Sequence, residues 1–139
     1  MYLTRLVYTS TISDIFKSDD IEEILLEARK YNEKSNVTGM LCFNSKYFLQ
    51  CLEGSRLAVN QTYHKILNDK RHSNIVMLDY KEIDAREFNS WSMGYLPESS
   101  LTAPINLKYS GNTAFNPYEM SGESAQLMML SLRNSIPSV

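Results

Sequence analysis

The stretch VTGMLCFNSKYFLQCLEGS, residues 37–55, contains two apolar runs on either side of the short polar segment 44–46. Both runs are rich in aliphatic and aromatic residues, which favour strands, and a break of this length suits a tight hairpin. The stretch therefore predicts two antiparallel strands, at 37–43 and 47–53.

The same hairpin decides how its two cysteines should be interpreted. Folding the chain about Ser45 would place Cys42 opposite Phe48 and Cys51 opposite Gly39. Cysteines that do not face each other across a hairpin are too poorly aligned for a disulfide. We therefore expect two free thiols, as is usual in a reducing compartment.

Two elements are predicted on the N-terminal side of the hairpin. Residues 2–9, YLTRLVYT, are rich in aromatic and β-branched types and predict a first strand. Asp19 followed by Glu22 forms a capping box, and the apolar periodicity after it predicts a helix that continues to about Lys34.

Three elements are predicted on the C-terminal side. Ser55 can cap a helix over residues 56–68, and apolar runs at 75–81 and 91–96 predict two further strands. The element order is thus β-α-β-β-α-β with a fifth strand. This order is typical of an α+β, ferredoxin-like fold, with strands one and three at the centre of the sheet and both helices on one face.

The C-terminal part of the chain changes in composition. Residues 98–139 begin rich in serine, asparagine, threonine and glycine, and then predict helices at 117–121 and 123–134. The second helix carries an apolar stripe made of Ala125, Met128, Met129 and Leu132. We expect this extension to cover the free face of the sheet formed by residues 1–97, in one compact unit.

Composition excludes several classes of protein. A chain of 139 residues with 43% hydrophobic residues suits a single compact domain. The 14 basic and 16 acidic residues give a net charge of −2, which argues against direct nucleic-acid binding. No run approaches the ~20 apolar residues of a membrane span, and no signal peptide is evident, so a cytoplasmic location is expected.

Motifs for enzymatic chemistry are not found. The sequence has no phosphate-binding loop, nucleophile elbow or paired-cysteine metal motif, and His64 and His72 do not have the spacing of metal ligands. A hydrolase on this fold would need an anion cradle and an activated nucleophile, and we find no candidate for either. We therefore expect no bound metal and no enzymatic activity.

Three polar residues lie on faces that should be apolar. Gln50 alternates with Phe48 and Leu52 on the third strand, Tyr8 lies on the first strand, and Asn32 borders the apolar stripe of the first helix. Buried amides need partners, since an unpaired one costs about 1–3 kcal/mol. These groups either satisfy one another or form a slot for a flat heteroaromatic ligand beneath the two helices.

Five segments together resemble the BLUF domain, a blue-light photoreceptor module that uses FAD. The resemblance covers residues 2–96 and rests on the motifs RLVYTS (5–10), YNEKSNVTGMLCF (31–43), FLQCLEG (48–54), DKRHSN (69–74) and FNSWSM (88–93). It implies that residues 1–97 form a flavin-binding photosensor domain, of the short type that stands alone.

The resemblance also implies a role for each site residue. Tyr8 matches the photoactive tyrosine, Gln50 the glutamine that relays between it and the flavin, and Asn32 the asparagine that holds the edge of the isoalloxazine ring. Ile24 and Ile66 match the aliphatic pair on either side of that ring, with Phe48 beside it. The residues expected near the ribityl and phosphate groups are Arg29, Lys65, Arg71 and His72, and the switchable pair of the fifth strand is Trp91 and Met93.

The implied activity is light sensing without turnover. Blue light would drive electron and proton transfer from Tyr8 to FAD, after which Gln50 changes its hydrogen bonds by rotation or tautomerisation. FMN or riboflavin could substitute for FAD. The output would be contact with an unidentified downstream protein, and self-assembly into a homo-oligomer is compatible with this. The alternative is a flavin-free, ferredoxin-like module that binds a protein or another ligand.

Overall fold

The computed structural model describes residues 2–14, 17, 20–89, 93–96 and 98–134. Its regular elements are β1 (Leu3–Ile12), α1 (Asp20–Ser35), β2 (Thr38–Phe43), β3 (Tyr47–Ser55), α2 (Arg56–Leu67), β4 (His72–Ile83), β5 (Gly94–Leu96), α3 (Ala103–Ser110) and α4 (Gly122–Arg133). Single 3₁₀ turns lie at Glu98–Ser100 and Pro117–Glu119.

The described strands form one mixed sheet in the order β4-β1-β3-β2-β5. β1 pairs antiparallel with both β3 and β4, and β5 pairs parallel with β2. The predicted ferredoxin-like order, with strands one and three at the centre, is confirmed. β4 is longer than the predicted 75–81, and only the last part of the predicted strand 91–96 lies among the described residues.

Each face of the sheet carries its own apolar cluster. α1 and α2 cover one face, where Leu25 and Val59 pack against Leu6 and Leu52 of the sheet. The other face is covered by the C-terminal helices. Alternation along the central strands therefore sends even-numbered residues of β1 and β3 toward α1 and α2, and odd-numbered residues toward α4.

The register of the β2–β3 hairpin differs from the prediction by one residue. Cys42 lies opposite Leu49, and Cys51 lies opposite Met40. The predicted partners, Phe48 and Gly39, are therefore wrong. Both cysteines are nevertheless free and fully buried, as expected.

The turn of this hairpin explains the shift in register. Phe43 and Phe48 form the last pair, so four residues connect the strands instead of three. The side-chain oxygen of Asn44 accepts hydrogen bonds from the backbone N–H groups of Lys46 and Tyr47, both at 2.8 Å. An asparagine that satisfies two backbone donors in this way stabilises the longer turn.

The helix starts differ in how far they match the prediction. α2 begins at Arg56, and the Oγ of Ser55 accepts from the backbone N–H of Ala58 at 3.2 Å, which confirms the predicted cap. α1 begins at Asp20. The predicted capping residue Asp19 lies outside the described residues.

α4 covers the second face of the sheet, as predicted for the tail. It buries Ala125, Met128 and Met129 against Val7 and Leu49 of the central strands. Gly122 permits this close approach, because a Cβ at that position would lie 2.4 Å from the backbone oxygen of Leu78. The segment predicted as a helix at 117–121 is instead a 3₁₀ turn over Pro117–Glu119.

α3 was not predicted. Its residues have little amphipathic periodicity, so the apolar pattern gave no signal. The end signals are nevertheless present. Pro104 occupies the first turn, and Gly111 ends the helix in the left-handed region at φ 75°.

Within the described part of the chain, no helix combines the length and the apolar character needed to cross a bilayer.

Candidate functional site

A cavity opens between α1 and α2 above the centre of the sheet. Its volume is about 700 Å³, part of which is open to solvent. The floor is formed by side chains from β1, β2 and β3, and the walls by α1 and α2. The lining residues are Tyr8, Ile24, Glu27, Ala28, Tyr31, Asn32, Leu41, Phe48, Gln50, Thr62, Lys65, Ile66, Asp69, Arg71 and His72.

Tyr8 and Gln50 form the polar part of the cavity floor. They are direct partners in the β1–β3 register, and the Oη of Tyr8 donates a hydrogen bond to the Oε1 of Gln50. Burial raises the pKa of Tyr8 well above its ordinary value, and the negative charge of Asp69 raises it further. Tyr8 is therefore a neutral phenol whose proton lies in the hydrogen bond to Gln50.

Gln50 continues the hydrogen-bond chain toward the start of β5. Its Nε2 donates to the Sδ of Met93 at 3.3 Å. The backbone oxygen of Met93 accepts from the Nε of Arg29 at 3.0 Å. Met93 is fully buried, so this contact is held away from water.

The contact with Met93 explains why Arg29 does not join the other predicted residues. Arg29 was expected to face the ribityl and phosphate side of a flavin. The structure does not place it among the residues that line the cavity, and its side chain instead reaches the Met93 carbonyl from α1.

Asn32 and the two predicted isoleucines line the same cavity. Asn32 is buried near the end of α1 and lines the cavity together with Gln50. Ile24 of α1 and Ile66 of α2 line it from the two helices. The cavity thus combines aliphatic walls with two amides, each of which carries a donor and an acceptor.

The basic residue Arg71 at the cavity mouth is already neutralised. Its Nη2 lies 2.6 Å from Asp69 and 3.0 Å from Glu27. Burial acts to raise the pKa of Asp69, but the hydrogen bonds and charge of Arg71 outweigh it and hold that pKa below its usual value. Among the described residues, Lys65 contacts an aromatic ring and not a carboxylate: its Nζ lies 4.2 Å from the centre of the Tyr31 ring.

His72 lines the cavity with both ring nitrogens bonded to the protein. Its Nε2 lies 2.9 Å from the backbone oxygen of Ile66, and a carbonyl can only accept, so this nitrogen carries a proton. Its Nδ1 lies 2.7 Å from the Oγ of Ser10. The ring also packs edge-on against Phe48, at 5.9 Å between centroids.

Some residues next to the predicted site residues were not predicted to belong to the site. The ring of Tyr63 on α2 lies 5.9 Å from that of Tyr8, and Glu27 and Asp69 neutralise Arg71. Tyr63 follows Val59 at helical spacing on the buried face of α2, which was the available signal. The predicted Trp91 lies outside the described residues. Among the described residues, no cluster of three or more potential metal ligands occurs.

Comparison with known proteins identifies the class of this site. The family model of BLUF, sensors of blue-light using FAD, matches residues 3–94. The chain is 42% identical over 91 residues to the blue light- and temperature-regulated antirepressor BluF of Escherichia coli (strain K12), a match that covers 66% of this chain and 23% of that protein.

A second curated relative is an enzyme. The chain is 39% identical over 88 residues to the photoactivated adenylate cyclase subunit alpha of Euglena gracilis, covering 63% of this chain and 9% of that protein. The chain therefore matches less than a quarter of the length of either relative. The family model that matches this chain describes a sensor of blue light, and the cyclase activity named for the second relative is not carried over to this chain.

Solved structures match over nearly the whole chain. The photo-activated state of BlsA superposes with a TM-score of 0.86 at 30% identity, covering 99% of this chain and 98% of that one. The dark state of BlrB, a BLUF protein, gives a TM-score of 0.81 at 28% identity and covers 97% of this chain and 98% of that one. With a family match over more than half of its length, the chain belongs to the BLUF family of flavin-dependent blue-light sensors.

Proposed function

We propose that this blue-light sensor holds FAD non-covalently between α1 and α2 and responds to light by changing the hydrogen bonds of Gln50. The observation that carries the proposal is the hydrogen-bond chain from Tyr8 through Gln50 to Met93, two of whose members line the cavity. Such a chain has one donor, one group that both accepts and donates, and one acceptor.

The described residues fit a flavin. Ile24 and Ile66 would contact the two faces of the ring, and Phe48 would lie beside it. The amides of Asn32 and Gln50 supply the paired donors and acceptors that the carbonyl and N–H groups of an isoalloxazine edge require.

The basic residues favour recognition through the ring. Arg71 is already paired with Asp69 and Glu27, and His72 uses both ring nitrogens on Ser10 and Ile66. Of the predicted basic residues that line the cavity, this leaves Lys65 to face the phosphate groups, with the His72 ring as part of the wall. We therefore propose that the ring supplies most of the specificity, with FAD as the cofactor and FMN or riboflavin as functional substitutes. Arg29 belongs to the site through its bond to Met93.

When bound, the flavin supplies blue-light absorption and an excited state able to accept an electron. Tyr8 is the proposed electron donor. Burial raises the pKa of Tyr8, so it starts as a neutral phenol. A phenol that has lost an electron is strongly acidic, so the proton leaves with the electron, and the Oε1 of Gln50 is positioned to receive it. Return of the electron and proton to Tyr8 leaves Gln50 in a different arrangement, through rotation or tautomerisation of its amide.

A rearranged Gln50 would act on β5. In the rotated amide the Nε2 donor leaves the Sδ of Met93, which is the residue before Gly94 and β5. Leu96 of β5 packs in the same cluster as Met128 and Met129 of α4. We propose that Met93, together with Trp91, passes the change to the C-terminal helices, and that the output is altered contact with a downstream protein.

The proposed function is tested by the absorption spectrum of the purified protein before and after blue light. We expect a bound yellow chromophore whose absorption moves slightly to the red on illumination and returns in the dark. Colourless protein that takes up no added FAD would overturn the proposal and favour a flavin-free interaction module.

A further inference from the structure

Glu53 is a buried carboxylate that the proposed photochemistry does not use. It lies on β3, is fully shielded from solvent, and accepts two backbone hydrogen bonds at 2.8 Å. Its Oε1 accepts from the N–H of Phe88 and its Oε2 from the N–H of Glu87. Burial raises the pKa of Glu53, and these two backbone hydrogen bonds act against that rise. A buried carboxyl group needs such partners, because leaving it unsatisfied is costly.

Arg86 holds the same segment to the hairpin from the other side. Its Nη1 donates to the Oγ1 of Thr38 at 2.9 Å and to the backbone oxygen of Glu53 at 3.2 Å, and its Nη2 donates to the backbone oxygen of Asn36 at 2.7 Å. Thr38 and Glu53 are themselves paired between β2 and β3. Residues 86–88, which we call the clamp segment, are therefore bonded to one end of the hairpin.

The clamp segment is connected to Met93 by a short length of chain. Phe88 is buried in the cluster on the α4 face, whereas Met93 is buried in the cluster beneath α1 and α2. Only four residues separate them. Five residue steps reach at most about 18 Å when fully extended, so the position of Phe88 limits where Met93 can lie.

Gln50 and Glu53 lie on the same strand, β3, and bond to the two ends of the segment that runs from residue 87 to Met93. Gln50 bonds directly to Met93 on one face of β3, and Glu53 bonds to the clamp segment on the other face. We propose that Glu53 is a positioning residue of the photosensor, which fixes Met93 against the Gln50 amide by holding residues 86–88. This inference rests on the proposed role of Gln50.

The clamp segment also contacts the end of α4. The Nη1 of Arg133, the last residue of α4, donates to the backbone oxygen of Glu87 at 2.6 Å. Glu87 thus receives a bond from α4 and gives one to Glu53. Glu87 therefore links Glu53 to the end of α4, and it lies on the same short segment of chain as Met93.

Two variants weaken the clamp by different means. Glu53→Gln replaces one carboxylate oxygen by an NH₂ group that faces a backbone N–H, so one of the two hydrogen bonds is lost. Arg86→Gln removes the guanidinium bonds and leaves Glu53 intact. The matched control is Asp79→Asn, the same carboxylate-to-amide change at a partly buried acid that pairs with Arg5.

Hydrogen exchange and the photocycle are measured on the flavin-loaded full chain. In Glu53→Gln we expect backbone amides 87, 88 and 94–96 to exchange about tenfold faster in the dark, the effect of losing one buried hydrogen bond. In Arg86→Gln, whose lost bonds are more exposed, we expect a smaller increase at the same amides. We also expect a changed rate of dark recovery and a changed size of the light-induced absorption shift. Asp79→Asn should leave these optical quantities as in the wild type even where it lowers stability.

Faster exchange without any optical change in either clamp variant would overturn the positioning role. If Glu53→Gln does not fold, Arg86→Gln alone decides between the two outcomes. Failure of the underlying function is recognised separately, because the wild-type chain would then show no light-induced shift. Unchanged exchange at residues 87, 88 and 94–96 in both clamp variants would show that Glu53 and Arg86 do not hold this segment, whatever the optical result.

Discussion

Tyr8 and Gln50 face each other directly across the antiparallel β1–β3 ladder, and the phenol of one donates to the amide oxygen of the other. Residues opposite each other in a ladder project from the same face of the sheet. The donor and acceptor are therefore held by the two central strands and not by loops. Their relative position is as rigid as the centre of the sheet, which suits a switch based on a single hydrogen bond.

Replacing Tyr8 by phenylalanine removes the proposed electron and proton donor with little change in volume. We expect Tyr8→Phe to bind flavin and to lose the light-induced red shift, as measured by absorption spectroscopy. Tyr63→Phe is the matched control, because it removes the same hydroxyl group from a ring only 5.9 Å from that of Tyr8. It should keep the red shift. A normal shift in Tyr8→Phe would exclude Tyr8 as the donor.

Replacing Gln50 by leucine keeps similar bulk and removes both hydrogen bonds of the amide, to Tyr8 and to Met93. We expect Gln50→Leu to retain flavin and to remain silent in light-minus-dark spectra. Gln126→Leu is a suitable control, since Gln126 is also buried and its amide has no hydrogen-bond partner among the described residues. A full reversible shift in Gln50→Leu would rule out Gln50 as the relay.

Cofactor selection should depend on the flavin ring. Because Arg71 is paired with two carboxylates, the phosphate groups of FAD have few cations to bind. We expect chain reconstituted with FMN or with riboflavin to show the same reversible red shift as chain reconstituted with FAD. Photoactivity with FAD alone would mean that the nucleotide makes contacts that this proposal underestimates.

The Asp69–Arg71 pair should contribute a pH-dependent part of the stability. The pKa of Asp69 is lowered in the folded protein, so the pair stabilises the fold above the unfolded-state pKa of about 3.9 and loses this effect as pH falls through the folded-state value. We expect Asp69→Asn to lower the free energy of unfolding by about 1 kcal/mol at pH 7. Urea denaturation at decreasing pH should show this difference shrinking, and a difference that grows toward low pH would contradict the assignment.

The C-terminal tail, residues 117–134, is the proposed output element. Its interface with the sheet is rich in methionine, which repacks at low cost, so a few kcal/mol of bias is enough to change how it packs. We expect hydrogen exchange in this segment to differ between dark and light, and the difference to be absent in Gln50→Leu. Equal protection of residues 117–134 in dark and light would eliminate the tail as the output.

The sequence alone was sufficient for the order of the elements and for several of the residues that line the cavity. Local signals carry that information: the strand alternation of Phe48, Gln50 and Leu52, and the cap at Ser55, depend only on neighbouring residues. Nine of the ten residues expected around the flavin line a single cavity, and Arg29 is the exception. Their roles toward a flavin remain predictions.

Tertiary structure decided the features that depend on distant parts of the chain. The turn at Asn44 set the hairpin register, and Glu27 of α1 neutralises Arg71, which lies in the turn before β4. From the sequence, Glu53 is predicted to be the polar end of a strand. In the structure it is buried, and its carboxyl group is satisfied by the N–H groups of residues 87 and 88, which are 34 and 35 positions away. A side chain's own neighbours determine its helix or strand, whereas its charge partners and burial are determined by whatever the fold brings beside it.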